Sequence, residues 1–134
     1  MIRDIIGLVI KSLMDDQAIT ARVSDRIYPD ESNVTPDSAY PMITVTARMT
    51  GKLRGTNAAL ADVNVKCFSS VRDDADAMQE AVMLVLDNTR MSMVINGQAV
   101  SGSLQIFSSL SATSEPILEK WYAESDWEGR FVGS

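Results

Sequence analysis

The sequence predicts an α+β domain: a mainly antiparallel sheet of four or five strands, with two principal helices packed on one face. Three observations carry this. Near the start, Ile2, Ile5, Ile6, Val9, Ile10 and Leu13 recur at helical spacing, and Met78, Ala81, Val82, Val85 and Leu86 do the same further on. Between and after these stripes the apolar residues alternate with polar ones, the signature of half-buried strands. The alternating runs are joined by short turns, which makes neighbouring strands antiparallel. A strand that alternates leaves one apolar side, and the two stripes are what can cover it.

The chain has 134 residues, of which 46% are hydrophobic. That matches one domain spanning 1–134, with a core that needs no disulfide or metal to hold it. The first helix is predicted over Ile2–Met14, with Arg3, Asp4, Lys11, Ser12 and Asp15 off its apolar stripe. Its uncharged run, Ile5 to Ile10, is far too short to span a bilayer, and no small-residue cleavage site follows it. Its polar face has too few cations for a membrane-surface helix, so the stripe reads as core. Residues 16–23 read as a short second helical turn with Ile19 and Val23 facing in. Residues 24–41 hold Pro29, Pro36 and Pro41 among Ser, Asn and Asp, and read as a loop.

From Tyr40 to Thr50, Ile43, Val45, Ala47 and Met49 alternate with Thr44, Thr46, Arg48 and Thr50. A second strand over Ala59–Ser69 alternates Val63, Val65 and Cys67 with Asn64, Lys66 and Phe68. The segment between them, GKLRGTN, reads as a hairpin turn, with Gly51 and Gly55 free to take positive φ. Ser70 and Asp73 form a weak capping-box pattern at the head of a helix predicted over Arg72–Asn88. After it, Asn96-Gly97 marks a tight hairpin between Met93–Ile95 and Ala99–Leu110. The segment SATSEP should break that second strand. The last strand is predicted over Leu118–Glu128, with Trp121, Ala123, Ser125 and Trp127 on one face and Tyr122, Glu124, Asp126 and Glu128 on the other. The tail GRFVGS should fray.

The chemistry is bounded by what is missing. There is no histidine, which removes the commonest general base, the Ser-His-Asp and Cys-His nucleophile systems and the usual zinc sites. Sites made only of carboxylates remain open. Asp73, Asp74 and Asp76 are better explained by the positive end of the helix dipole than by a metal, since Asp74 points away from the other two and no glycine-containing calcium loop accompanies them. Glu124, Asp126 and Glu128 read as a solvated or cation-meeting face, and the single cysteine, Cys67, reads as a small buried hydrophobe. No cofactor, metal or catalytic residue is expected. The net charge of −6 disfavours broad contact with nucleic acid. Locally the balance inverts: Arg48, Lys52, Arg54, Lys66 and Arg72 stand against one acid, Asp62. Lys52, Leu53 and Arg54 at the first hairpin tip form a candidate binding arm, an apolar residue between cations, with Glu124, Asp126 and Glu128 as candidate partners.

Two segments, Ser24-Asp25-Arg26-Ile27-Tyr28-Pro29 and the Tyr40-Pro41 that opens a strand about a dozen residues later, resemble the tail-completion (tail-terminator) proteins of long-tailed bacteriophages. Phe68-Ser69-Ser70 also looks like that family's strand-to-helix join, although an aromatic and a basic residue are more typical there. The likeness covers nearly the whole chain. It implies a structural protein without catalytic residues, assembled in the host cytoplasm and placed in the virion at the tail-neck junction. There it would form a ring, usually a hexamer, that ends the tail tube, joins it to the head connector and lets genomic DNA pass without specific binding. An acidic ring around that passage would repel phosphate. A protein of another neck or head-closure layer, a carboxylate-based enzyme and a small-ligand module are the alternatives; no glycine-rich phosphate loop supports the last.

Overall fold

The structure is a computed structural model describing residues 2–32, 34–52 and 58–133. Among these residues three helices, α1 (Ile2–Met14), α2 (Gln17–Val23) and α3 (Arg72–Leu86), accompany six strands. These are β1 (Ile27–Tyr28), β2 (Met42–Lys52), β3 (Ala58–Ser69), β4 (Arg90–Ile95), β5 (Gln98–Glu115) and β6 (Lys120–Gly133). They form one six-stranded sheet in the order β1-β2-β3-β6-β5-β4, antiparallel throughout except for the parallel β1–β2 pair. The expected four or five strands are therefore six. The strand missed is β1, two residues inside the predicted loop, too short to carry any periodicity.

Helix α1 packs against β2, β4, β5 and α3, while α3 packs against β3, β5 and β6. Both lie on the same face, where Ile5, Leu8, Val9 and Leu13 of α1 and Met78, Val82 and Leu86 of α3 meet Val45, Val63, Val65, Leu104, Trp127 and Phe131. Asp16 caps α2, its carboxylate accepting the Ile19 N–H at 3.1 Å. The cap predicted for α3 differs. Val71 occupies the N-cap position without a side-chain bond. Ser69, one residue before the predicted Ser70, accepts the Val71 N–H at 3.1 Å and donates to Asp74 at 3.0 Å.

The two segments at residues 24–29 and 40–41 turn out to be one feature. The Arg26 guanidinium donates to the Pro41 carbonyl at 2.9 Å, and the Arg26 carbonyl accepts the Ile43 N–H at 3.0 Å. Ile27 and Tyr28 then pair with Ile43 and Thr44. One arginine thus closes the base of the proline-rich loop and seats β1 on the sheet edge.

Two further expectations are corrected. The segment SATSEP does not end β5, which runs on to Glu115 through two register shifts, at Ile106/Ser108 and Leu110/Thr113. Side chains of α3 and its C-cap hold that irregular stretch: Asp76 accepts the Ala112 N–H at 2.7 Å and the C-cap residue Asp87 accepts the Ile106 N–H at 3.4 Å. The tail is not frayed either. Strand β6 continues to Gly133, and Phe131 is wholly buried. Its ring fits because Gly102 and Gly129 flank it. A methyl group on Gly129 would stand 2.6 Å from the ring, and one on Gly102 would overlap it. The Asn96-Gly97 turn is as expected, with both residues at positive φ (52° and 81°).

Candidate assembly interface

The helices leave the second face of the sheet open, and there the side chains line up in rows fixed by strand register. Thr44, Lys66, Glu124 and Leu110 form one row, and Thr46, Asn64, Asp126 and Ser108 the next. Arg48, Asp62, Glu128 and Gln105 follow, and then Leu60, Arg130 and Ser103. The acids of β6 and most of the cations of β2 and β3 therefore share one surface and answer one another within the chain. Lys66 reaches Glu31 at 2.9 Å and Glu124 at 3.6 Å, and sits 5.3 Å from the centre of the Tyr122 ring. Burial alone would lower its pKa, but the hydrogen bond and charge of Glu31 and the charge of Glu124 outweigh that and raise it. Asp126 accepts from Asn64 at 2.8 Å and from Ser108 at 3.3 Å. Asp62 pairs with Arg48 at 3.3 Å.

The site residues read from the sequence divide accordingly. Glu124, Asp126 and Glu128 do project together, but the first two are engaged by their own chain. Glu128 is exposed and stands directly across from Asp62, a like-charge pair that leaves it open to an outside cation. Lys52 is exposed at the end of β2, while Leu53 and Arg54 lie outside the described residues. The basic patch is less basic than its composition: Arg48 and Lys66 are paired, and Arg72 lies 5.7 Å from the centre of the Trp121 ring. Asp74 pairs with Arg22 at 2.6 Å, and Asp76 is taken by β5, so these acids hold elements in place. Among the described residues no three acidic or thiol groups converge as metal ligands. Cys67 is buried, which pushes its thiol up to about 12.

The same face carries a cleft that the sequence reading missed. Loop 29–41 folds over the end of the sheet nearest α3's N-terminus. It is shaped by an Asp30–Ser32 turn and by the Tyr40 hydroxyl donating to the Thr35 carbonyl at 2.7 Å. Between this loop and the β5–β6 turn lies a cleft of about 240 Å³. Phe68, Tyr122 and Leu118 form its floor, Val34 and Ile117 its lips, and Glu31, Glu115 and Lys66 its rim. Ile117, in the β5–β6 turn, is 82% exposed. The available signal was an isoleucine in the turn Glu115-Pro116-Ile117-Leu118-Glu119, where nothing in its own sheet can bury it.

Apolar anchors beside a charged rim are the anatomy of a candidate docking surface. The fold is shared with a virion chain. A chain of the solved virion of a native gene transfer agent particle superposes with a TM-score of 0.73, at 15% identity, over 94% of this chain and 92% of that one. At that identity the likeness concerns the fold. No protein-family model matches the chain, and no curated protein matches its sequence. Among the described residues no helix is long and apolar enough to cross a membrane.

Proposed function

We propose that this chain is a structural protein of a tailed phage or phage-like particle, acting as a ring-forming tail-completion protein. The carrying observation is a fold shared along nearly the whole of both chains with a virion component. The Arg26 clamp adds to it, because it joins the two segments on which the resemblance to tail-terminator proteins rests. In this reading copies associate head to tail into a ring, hexameric by the resemblance, that ends the tail tube and meets the head connector. The chain performs no catalysis and carries no cofactor. Its surplus of acids, 18 against 12 basic residues, lets DNA pass without being held. The Lys52–Arg54 tip serves as an arm toward a neighbour, and Glu128 is the member of the β6 acid row free to receive a cation.

The test is to add the purified chain to tail tubes lacking a terminator and to image the tube ends, with solution mass measured in parallel. Rings capping tube ends are expected. A chain that binds head connectors but never tube ends belongs to another neck layer. One that forms no ring and binds neither refutes the reading.

A further inference from the structure

Two exposed apolar features stand at opposite ends of the sheet, each beside a charge that its own chain leaves free. At one end is the β5–β6 turn. Ile117 is exposed there, and Glu119, two residues on, is exposed with no hydrogen-bond or ion-pair partner among the described residues. The turn is held from within. The Glu115 carboxylate accepts the Ile117 N–H at 3.2 Å, and Lys120, next to Glu119, lies 5.0 Å from the centre of the Tyr40 ring. At the other end is the corner where β4, β5 and β6 meet. Val94, Ala99 and Val132 are exposed on the open face there. Arg130, two residues before Val132, shares a row with Ser103 and Arg90. Arg130 has no polar partner among the described residues, and Arg90 has only the Ser101 hydroxyl, at 3.1 Å. Glu128, one row further along β6, pairs with neither arginine.

Both surfaces therefore set an apolar contact two residues from a free charge, and the charges are opposite. We propose that the β5–β6 turn of one copy seats on the β4–β5–β6 corner of the next, with Ile117 against Val94, Ala99 and Val132 and the Glu119 carboxylate between the Arg130 and Arg90 guanidiniums. The two arginines are two strands apart, about 10 Å between backbones, so both side chains can reach one carboxylate. The proposal rests on the ring reading above and names two surfaces by which the ring closes. Strand register decides that the contact is between copies. Lys120 pairs with Glu115 beside the turn, and Val132 pairs with Ser101 at the corner. From Lys120 to Val132 the strand runs about 40 Å at roughly 3.3 Å per residue. One sheet cannot bring its own turn onto its own corner. Two different patches at opposite ends of one rigid sheet make a heterologous contact, which closes into a ring or runs on as a filament.

The test is a charge exchange between copies. Glu119→Arg and Arg130→Glu change exposed side chains, so the circular dichroism of each variant should match the parent. Either change alone sets like charges against each other at every contact, and should raise the concentration for half-assembly, read by solution mass, at least tenfold. An equimolar mixture of the two variants should assemble as the parent does. In an alternating ring the altered turn of the first meets the altered corner of the second, and the two unaltered surfaces meet each other. Ile117→Asp should weaken assembly as the single charge changes do. Rings indifferent to all three changes overturn this contact and leave the ring reading standing. Single variants that fail, and still fail when mixed, overturn it too, because the two residues then do not face each other. A mixture that restores only closed dimers supports the contact and overturns the ring. A chain that never associates overturns both.

Discussion

Phe131 gives the sharpest test of the packing, because a frayed tail and a locked β6 make opposite predictions. Its side chain is fully buried in a slot between Gly102 and Gly129. Phe131→Ala removes roughly 150 Å² of buried apolar surface, worth about 4 kcal/mol at about 25 cal/mol per Å². The slot walls are sheet backbone and cannot collapse to fill the space, which puts the cost in the upper part of the ~3–5 kcal/mol range for such truncations. That is a large share of the roughly 5–15 kcal/mol that holds a domain folded. At about 3 °C per kcal/mol for a chain of this size, the melting point should fall by roughly 12–15 °C. The assay is urea unfolding followed by the fluorescence of Trp121 and Trp127, where the midpoint should drop with the slope unchanged. A loss below about 1 kcal/mol would refute the packing and restore a frayed tail.

The other predictions concern separate elements. Val82 is fully buried and Val85 only partly, so Val82→Asp should abolish folding, as an uncompensated buried carboxylate does, while Val85→Asp should give a weakened but folded protein by circular dichroism. Asp76→Ala should cost about 1.5–3 kcal/mol by removing the charged acceptor of the Ala112 N–H, and hydrogen exchange should rise at residues 108–113 before it rises elsewhere. An unchanged exchange pattern there would mean the carboxylate is not what holds β5. The raised Cys67 thiol stabilises the fold fully below its unfolded value near 9.0, and that contribution fades as pH climbs toward about 12. Between pH 8 and 10.5 the wild type should therefore lose more stability than Cys67→Ala, and equal losses would contradict the burial.

Much of this architecture could be read from residues alone where periodicity spans a whole element. Helix α1 has the predicted bounds, α3 ends two residues early, and β2, β3 and the Asn96-Gly97 turn lie where alternation and turn chemistry put them. The failures share a cause. Strand β1 exists because Arg26 ties two loop ends together. The far half of β5 exists because a carboxylate 36 residues away accepts the Ala112 N–H. The tail expected to fray is held because Gly129 and, across the sheet, Gly102 of β5 let Phe131 pack. Each is decided by a partner distant in sequence. The candidate interface was half legible: the β6 acids do share a face, but composition could not tell which were already paired with Asn64, Lys66 and Ser108.

The order β1-β2-β3-β6-β5-β4 puts β6, which follows the other five strands in the chain, at the centre of the sheet. Until β6 has left the ribosome, β3 and β5 have nothing to pair with between them, and the emerging chain is two hairpins with one long edge each. The molecule therefore completes itself in a single late insertion. A message cut short before Lys120 yields no smaller version of the protein, only sticky halves for proteases and chaperones to clear. Such a closing step leaves no partly folded shorter form that could stand in for the finished chain.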